Sequence, residues 1–468
     1  MKALKTILFL ALFIWFINCK SANTNVSEKN MMWLTTANQE VLFEKIEGGI
    51  SPASTGADDP LIEVNTSITY QEIDGYGFSL TGGSAIHING MEDSEREKLL
   101  KELFGTADGE IGISYLRVSI GASDLDPEPF SYNDLPQGET DMDLNNFSIE
   151  RDQNNLIPVL KEILAINPKL KIMGSSWSPP VWMKTNNSTI GGRLRTEYYD
   201  VYANYFVKYI KAMEEEGISI EAITVQNEPE HGGNNPSMVM TSEEQKVFIK
   251  NHLGPKFAEE NIDTKIIIWD HNADNPDYPI SILNDPDANK YINGSAFHLY
   301  AGEITSLSEV HNAHPDKNIY FTEQWIGAPG NFSQDLAWHT RNLIVGATRN
   351  WSKTILQWNL ASDANQEPHT VGGCDSCLGG VTIEGNLVTR NPGYYIIAHA
   401  SKFVRPGSIR VDSSYPEDLP NVAFTTPEDE LVLIILNDSS NNKKVNLSAD
   451  GETYSVTLPK GAVTTLVL

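Results

Sequence analysis

The feature that most constrains this chain is a rhythm that begins after Thr69, where short apolar runs alternate with longer amphipathic stretches. Eight runs read as strands: residues 75–81, 114–120, 171–176, 222–226, 265–269, 295–298, 318–322 and 354–358. Between them, residues 91–104 put Leu99, Leu100 and Leu103 on one helical face. Residues 156–166, 198–215, 243–259 and 332–349 repeat the same 3.6-residue period. Thr241-Ser242-Glu243-Glu244 has the form of a capping box, in which a hydroxyl and a carboxylate each accept from the other's backbone N–H. Residues 391–402 predict a closing helix. Eight strands alternating with helices predict an α/β chain with a (β/α)8 TIM barrel over residues 71–404. An open doubly wound sheet is the alternative; no G-x-G-x-x-G follows the first strand, which weakens its dinucleotide-binding form.

The tail has a different period. Residues 405–468 alternate in short runs such as 422–425, 431–436 and 455–458, separated by Asn, Asp, Gly and Ser. They predict a small antiparallel β-sandwich, with residues 40–70 supplying N-terminal strands that pair with it.

The first residues read as a targeting segment. Lys2 and Lys5 precede an unbroken apolar run over residues 7–17, too short for a mature membrane span, and the run stops at Asn18-Cys19-Lys20. One Cys directly after such a run resembles a bacterial lipoprotein signal. It implies a lipoprotein signal over residues 1–19, a lipidated Cys19 as the mature N-terminus and a tether over residues 20–39. An ordinary secretory signal cleaved nearby is the alternative, and both export the protein. In an oxidising compartment, Cys374 and Cys377 read as a local disulfide. A zinc site needs about four ligands, and only His369 lies nearby.

The charge narrows the partners. The chain carries 34 Lys and Arg against 62 Asp and Glu, a formal net charge of -28. Such a polyanion repels nucleic acid and anionic membranes, which leaves membrane contact only through a lipid anchor. A neutral sugar is compatible with it. The acidity itself has an ordinary reading as a solvated surface, with a monomeric state expected.

In a (β/α)8 barrel, catalytic side chains come from the C-terminal ends of the strands. Here those ends read Gly82-Gly83-Ser84, Gly121-Ala122-Ser123-Asp124, Trp177-Ser178-Pro179-Pro180, Asn227-Glu228-Pro229-Glu230-His231, Asp270-His271-Asn272, His298-Leu299-Tyr300, Glu323-Gln324-Trp325 and Asn359. They are rich in carboxylates, amides and aromatics. Carboxyls cleave glycosidic bonds, amides and acids hold hydroxyls, and aromatic faces cover the C–H surface of a sugar ring. Glycoside hydrolysis needs two carboxyl groups, about 5–5.5 Å apart when configuration is retained. Glu228 and Glu323 end the fourth and seventh strands, which face each other across a closed barrel.

Val225-Gln226-Asn227-Glu228-Pro229 and Phe321-Thr322-Glu323 resemble the acid/base and nucleophile motifs of glycoside hydrolase family 30, which includes glucosylceramidases, β-1,6-glucanases, β-xylosidases and xylanases. Leu116-Arg117-Val118, the run Ser176-Trp177-Ser178-Pro179-Pro180-Val181-Trp182-Met183-Lys184, Trp358-Asn359-Leu360 and Ala400-Ser401-Lys402-Phe403 extend the resemblance from about Gly75 to Arg410. It implies a retaining β-glycosidase without cofactor or metal, with Glu228 as acid/base and Glu323 as nucleophile. Asn227 would bond the sugar 2-hydroxyl. Tyr300 and Arg117 would orient Glu323. Asp124 and Trp177 would hold the same sugar, Trp358 would stack on it, and His298 would line the floor. An acid at position 124 goes with hexoses in the family, which favours glucose over xylose.

The C-x-x-C loop resembles bacterial members related to β-1,6-glucanases, and Gly82-Gly83-Ser84 departs from the Thr-Asp often found there in glucosylceramidases. The favoured substrate is therefore β-1,6-glucan, with an exo-acting β-glucosidase, glucosylceramidase or β-xylosidase as the alternative. A non-catalytic glycan-binding lipoprotein is a reading from another class, and intact carboxylates argue against it. Several residues also have plain structural readings. Trp182 and Trp325 could be packing, His298 a satisfied core histidine, and Asp270, His271 and Asn272 hydroxyl-binding or loop-stabilising groups. Glu230 reads as a loop residue.

Overall fold

The computed structural model describes residues 30–53 and 59–468. The leader over 1–19, the expected lipidation site Cys19 and the first half of the expected tether, residues 20–29, lie outside the described residues.

Eight parallel strands close into a barrel: Gly75–Ser79, Tyr115–Ser119, Lys171–Ser175, Ala222–Thr224, Lys265–Ala273, Ile292–Gly302, Asn318–Glu323 and Ser352–Asn359. Closure is made by the last strand pairing with the first, with Thr354 beside Gly75 and Leu356 beside Gly77. Inward-facing Tyr115, Met173, Ala222, Ile267, Ala296, Tyr320 and Leu356 fill the interior, so the barrel is a packed core beneath the site and not a channel. The open-sheet alternative is thereby excluded. The strands fall where the apolar runs predict them, because both faces of a barrel strand are buried and need continuous apolar sequence.

The helices deviate from expectation in identifiable ways. Thr241 forms the predicted capping box with Glu244, starting the helix Ser242–Phe248. That helix and the one at Phe332–His339 pass into wider π turns at Ile249–Leu253 and Thr340–Ala347, where one continuous period is expected. Gly82-Gly83-Ser84, read from the sequence as the end of the first strand, is the start of a helix, Gly82–Asn89. The Thr81 side chain accepts from the Ser84 N–H and sets the first turn, a cap stronger than the poor helix propensity of two glycines. Helices Asp277–Leu283, Pro286–Asn289 and Ser306–Ala313 are short and carry too little period to be read from sequence.

The second domain is a ten-stranded sheet that folds over on itself, so that Met32 near one end of the strand order and Leu447 near the other share one core. Its strands come from both ends of the chain. Met31–Thr35 pairs with Val463–Val467, and Leu61–Glu72 pairs with Ile409–Ser413. Two expectations are corrected here. Residues 31–35 are a strand rather than tether, because Met32 and Leu34 are buried in the sandwich core. The sheet is also not wholly antiparallel, since Leu61–Glu72 runs parallel to Lys443–Ala449.

The strand Leu431–Leu436 joins the domains. Leu431, Leu433 and Ile435 face the sandwich core, whereas Val432, Ile434 and Leu436 face the barrel's outer core. A strand buried on both faces explains six consecutive apolar residues, each contributing about 1.5–3 kcal/mol of burial. Arg349 Nη2 donates to the Ser413 carbonyl and Arg341 pairs with Asp438 across the same junction. Beyond the eighth barrel strand, Ala361–Ser362, Val381–Glu384 and Leu387–Arg390 form a small separate sheet that supports the loop over residues 363–380.

Candidate active site

The strand ends converge on a cavity of about 350 Å³ at the C-terminal mouth of the barrel. Of the residues singled out from sequence, Asp124, Trp177, Asn227, Glu228, Tyr300, Glu323, Trp358, Cys374 and Cys377 line it. Arg117 and His298 do not. Both are fully buried behind the carboxylates, so His298 supports the floor from below instead of lining it. His231, Asn234, His271, Asn272 and Trp325 complete the lining. Asn234 carries no signal in the sequence, because it sits in a loop six residues past Glu228 and its role depends on how that loop folds back. Its Nδ2 lies 3.3 Å from Glu228 Oε2.

Glu228 and Glu323 face each other. Their nearest carboxyl oxygens, together with a ring nitrogen of His298, all lie within 4.8 Å of one another. Glu323 is the last residue of its strand, and two donors orient it. Arg117 Nη1 donates to Oε2 at 2.6 Å and the Tyr300 hydroxyl donates to Oε1 at 2.9 Å. Glu228 has φ +46°, in the left-handed region that costs a non-glycine residue energy. Asp270, with φ +65°, shares that conformation, and its carbonyl accepts the Glu228 N–H at 3.0 Å. The two strained strand ends hold each other in place.

A charge hub lies beneath this pair. Asp270 Oδ2 accepts from Arg117 Nη2 at 2.8 Å, from Ser175 Oγ at 2.8 Å and from Thr224 Oγ1 at 2.5 Å. Its Oδ1 accepts from Thr322 Oγ1 at 2.7 Å and faces His298 Nε2 at 3.2 Å. One carboxylate from the fifth strand thus reaches side chains of the second, third, fourth, sixth and seventh strands. Arg117 Nη2 also donates to Asn227 Oδ1 at 2.6 Å, which turns the Asn227 carbonyl inward and leaves its amide NH2 for the cavity.

The titratable groups follow from this arrangement. Burial opposes charge on Asp270, yet Arg117, His298 and the hydroxyl donors hold it well below the ordinary carboxylate range. Burial alone would lower His298, but the Glu323 charge and its contacts with Asp270 and Glu228 raise it to about 9. Burial pushes Asp124 up to about 7, with the charge of Glu323 adding to the effect. Burial lowers His271 to about 4, so it is neutral at ordinary pH.

Counting charges, Arg117 and His298 supply two cations beneath three buried carboxyls, Asp270, Glu228 and Glu323. The Glu228–Glu323 pair therefore retains one proton, as two facing carboxyls do. The His298 imidazolium favours ionised Glu228, and burial favours protonated Glu323. The hydrogen bonds argue the opposite way and decide it. Glu323 has donors at 2.6 and 2.9 Å, whereas both contacts to Glu228 are 3.3 Å long. Short donors stabilise the ionised form far more than long ones, so Glu323 is the anion and Glu228 carries the proton.

Glu228, His298 and Glu323 are also the one set of three or more potential metal-ligand residues in contact among the described residues. The Glu323 oxygens are engaged by Arg117 and Tyr300, and a guanidinium 2.6 Å away repels a cation there. The same geometry serves proton transfer.

Trp177 and Trp358 stack on each other with ring centroids 5.4 Å apart, and the Arg117 guanidinium sits 4.7 Å over the Trp177 ring. They form a rigid aromatic wall. Trp182 is buried packing, with Nε1 donating to the Asn133 carbonyl. Cys374 and Cys377 form the expected disulfide.

A closed barrel with two carboxyls facing each other over a cation hub defines a glycoside hydrolase. Comparison with known families then places it. Residues 73–404 match the glycosyl hydrolase family 30 TIM-barrel domain and residues 407–466 match the glycosyl hydrolase family 30 beta sandwich domain. The chain belongs to glycosyl hydrolase family 30. It is similar to an endo-1,6-beta-D-glucanase of Neurospora crassa, 34% identical over 90% of this chain and 91% of that one. It is also similar to a putative glucosylceramidase of Caenorhabditis elegans, 30% identical over 86% of this chain and 82% of that one. A solved endo-beta1,6-glucanase superposes with a TM-score of 0.87 at 33% identity, covering 94% of this chain and 99% of that one.

Proposed function

We propose that this protein is a retaining endo-β-1,6-glucanase in which Glu323 is the nucleophile and Glu228 the acid/base. The observation that carries the chemistry is that one carboxyl oxygen of Glu228 and one of Glu323 lie within 4.8 Å of each other. Retaining glycosidases hold them about 5–5.5 Å apart and inverting ones about 6.5–9.5 Å, leaving room for a water. Ionised Glu323 attacks the anomeric carbon as Glu228 passes its proton to the departing glycosidic oxygen. Glu228, now a base, takes a proton from water, which attacks the same carbon and releases Glu323. Two inversions retain configuration. Tyr300 and Arg117 keep Glu323 aimed, and the Asn227 amide is placed for the sugar 2-hydroxyl. Asp124 holds hydroxyls beyond C3, and the Trp177–Trp358 wall covers the ring.

The linkage rests on relatives. Proteins named endo-1,6-beta-D-glucanase, from three fungi, are 33–34% identical to this chain over 86–90% of its length. Purified protein incubated with β-1,6-glucan, laminarin, xylan and an aryl β-glucoside tests this directly. Short β-1,6 oligosaccharides are expected. Glucose alone would point to exo action instead, and no cleavage of any substrate would refute the assignment.

The leader over residues 1–19 makes this an exported enzyme, lipid-anchored through Cys19. Loss of lipid labelling in a Cys19→Ala variant is the expected result, and unchanged labelling would exclude that anchor.

A further inference from the structure

The loop after the eighth barrel strand reaches across the barrel mouth and touches Asp124 twice. The Thr370 N–H donates to the Asp124 carbonyl at 2.9 Å, and the Cys374 N–H donates to Asp124 Oδ2 at 3.2 Å. At this point the disulfide ties Cys374 to Cys377, closing a small ring of four residues. The far side of that ring is fixed to the catalytic scaffold. The Ala328 N–H donates to the Ser376 carbonyl at 2.7 Å, and the Leu378 N–H donates to the Ile326 carbonyl at 2.9 Å. Both partners follow Glu323 within five residues. Cys377 is almost fully buried and packs in one cluster with Trp177 and Trp358. The ring is therefore rigid on one side and presents one backbone donor to a sugar-facing carboxyl on the other.

We propose that the Cys374–Cys377 disulfide is a specificity-determining element, holding the Cys374 N–H on Asp124 so that this carboxyl stays oriented to select a hexose over a pentose. The inference rests on the reading of Asp124 as the group that holds hydroxyls beyond C3. A buried carboxyl without a fixed donor rotates and is desolvated at a cost, so a positioned N–H decides where its second oxygen points. Gly373 is part of the same construction. A Cβ there would lie 2.5 Å from the Asp124 carbonyl oxygen and 2.8 Å from Thr370 Oγ1, so this turn tolerates no side chain without shifting the contact. The disulfide positions Asp124 and takes no part in bond cleavage.

The test compares inhibition constants for a glucose-configured and a xylose-configured iminosugar, which differ in the C6 hydroxymethyl group. The variants are Cys374→Ser/Cys377→Ser, Gly373→Ala, Asp124→Ala and the first combined with the last. Gly373→Ala leaves the disulfide intact and covers the case in which the double serine variant does not fold. The ratio favouring the glucose-configured inhibitor is expected to fall about tenfold in the first two variants, the worth of one hydrogen bond to a charged group. Binding of the xylose-configured inhibitor, which keeps the C4 hydroxyl, should weaken clearly less than that of the glucose-configured one, and the disulfide should add nothing in the Asp124→Ala background. A ratio unchanged in the cysteine and Gly373 variants but lost in Asp124→Ala would overturn the inference and leave the Asp124 reading standing. A ratio unchanged in all of them would overturn both. An equal loss for both inhibitors would overturn it as well, because that is the signature of a generally damaged site.

Discussion

Replacing Asp270 by Asn tests the hub beneath the two glutamates. The change is isosteric, so packing is preserved and only charge and donor direction change. An amide offers one carbonyl and one NH2 where the carboxylate accepts five donors. If its oxygen stays on Arg117, its NH2 faces Thr322 and His298, and His298 must present a bare nitrogen and lose its charge. Arg117 is then left with Glu323 as its remaining anion. Removing one partner of a buried pair costs about 3–5 kcal/mol, and the retained hydrogen bonds place this case near about 3. Unfolding entropy of about 2.1 cal/mol/K per residue, over a chain of this length, converts that to a Tm lowered by about 3–4 °C. If the same loss reaches the transition state, kcat falls about a hundredfold with KM little changed. Differential scanning fluorimetry and steady-state kinetics on an aryl β-glucoside measure both. A variant melting within about 1 °C of wild type and keeping kcat within about threefold would refute the reasoning, because a hub that can be neutralised without effect is not holding the site.

Three further outcomes follow from the same geometry. Tyr300→Phe removes a 2.9 Å donor to Glu323, so kcat/KM should drop about ten- to a hundredfold. Tm should hardly move, because Tyr300 is 38% exposed; a large Tm shift would mean a structural role. His298 is raised above its unfolded value of about 6.5 to about 9. Its stabilisation is therefore complete below about pH 6.5 and is lost as pH rises through about 9, a span worth about 3 kcal/mol. The stability gap between wild type and His298→Asn, from urea denaturation, should shrink by that order between those pH values; a constant gap would mean that His298 is neutral throughout. Finally, proton NMR of early hydrolysis should reveal the β-anomer first, whereas an initial α-anomer would mean inversion.

The fold was legible where burial imposes a period. Barrel strands buried on both faces require unbroken apolar runs, and the Leu431–Leu436 strand is legible for the same reason. What escaped was set by contacts between distant parts of the chain. The helix Gly82–Asn89 depends on the Thr81 cap, which outweighs two glycines that read as a strand end. At the site, Glu228 and Glu323 stood out because their neighbours match a family pattern. The sequence also suggested Arg117 and Tyr300 as partners of Glu323. It did not reveal Asp270 as the hub, since its partners lie up to 153 residues away and WDHN reads equally well as a hydroxyl-binding loop. The family resemblance put His298 on the cavity floor, yet it sits behind the carboxylates.

The most direct test of the central claim is to trap the glycosyl-enzyme with a 2-deoxy-2-fluoro-β-glucosyl fluoride and map the modified peptide by mass spectrometry. One fluoroglucosyl group on Glu323, in the peptide containing Phe321-Thr322-Glu323, is the expected result. Labelling at Glu228, or turnover of substrate by the same preparation with no trapped intermediate, would contradict the assignment of Glu323 as the nucleophile of a double displacement.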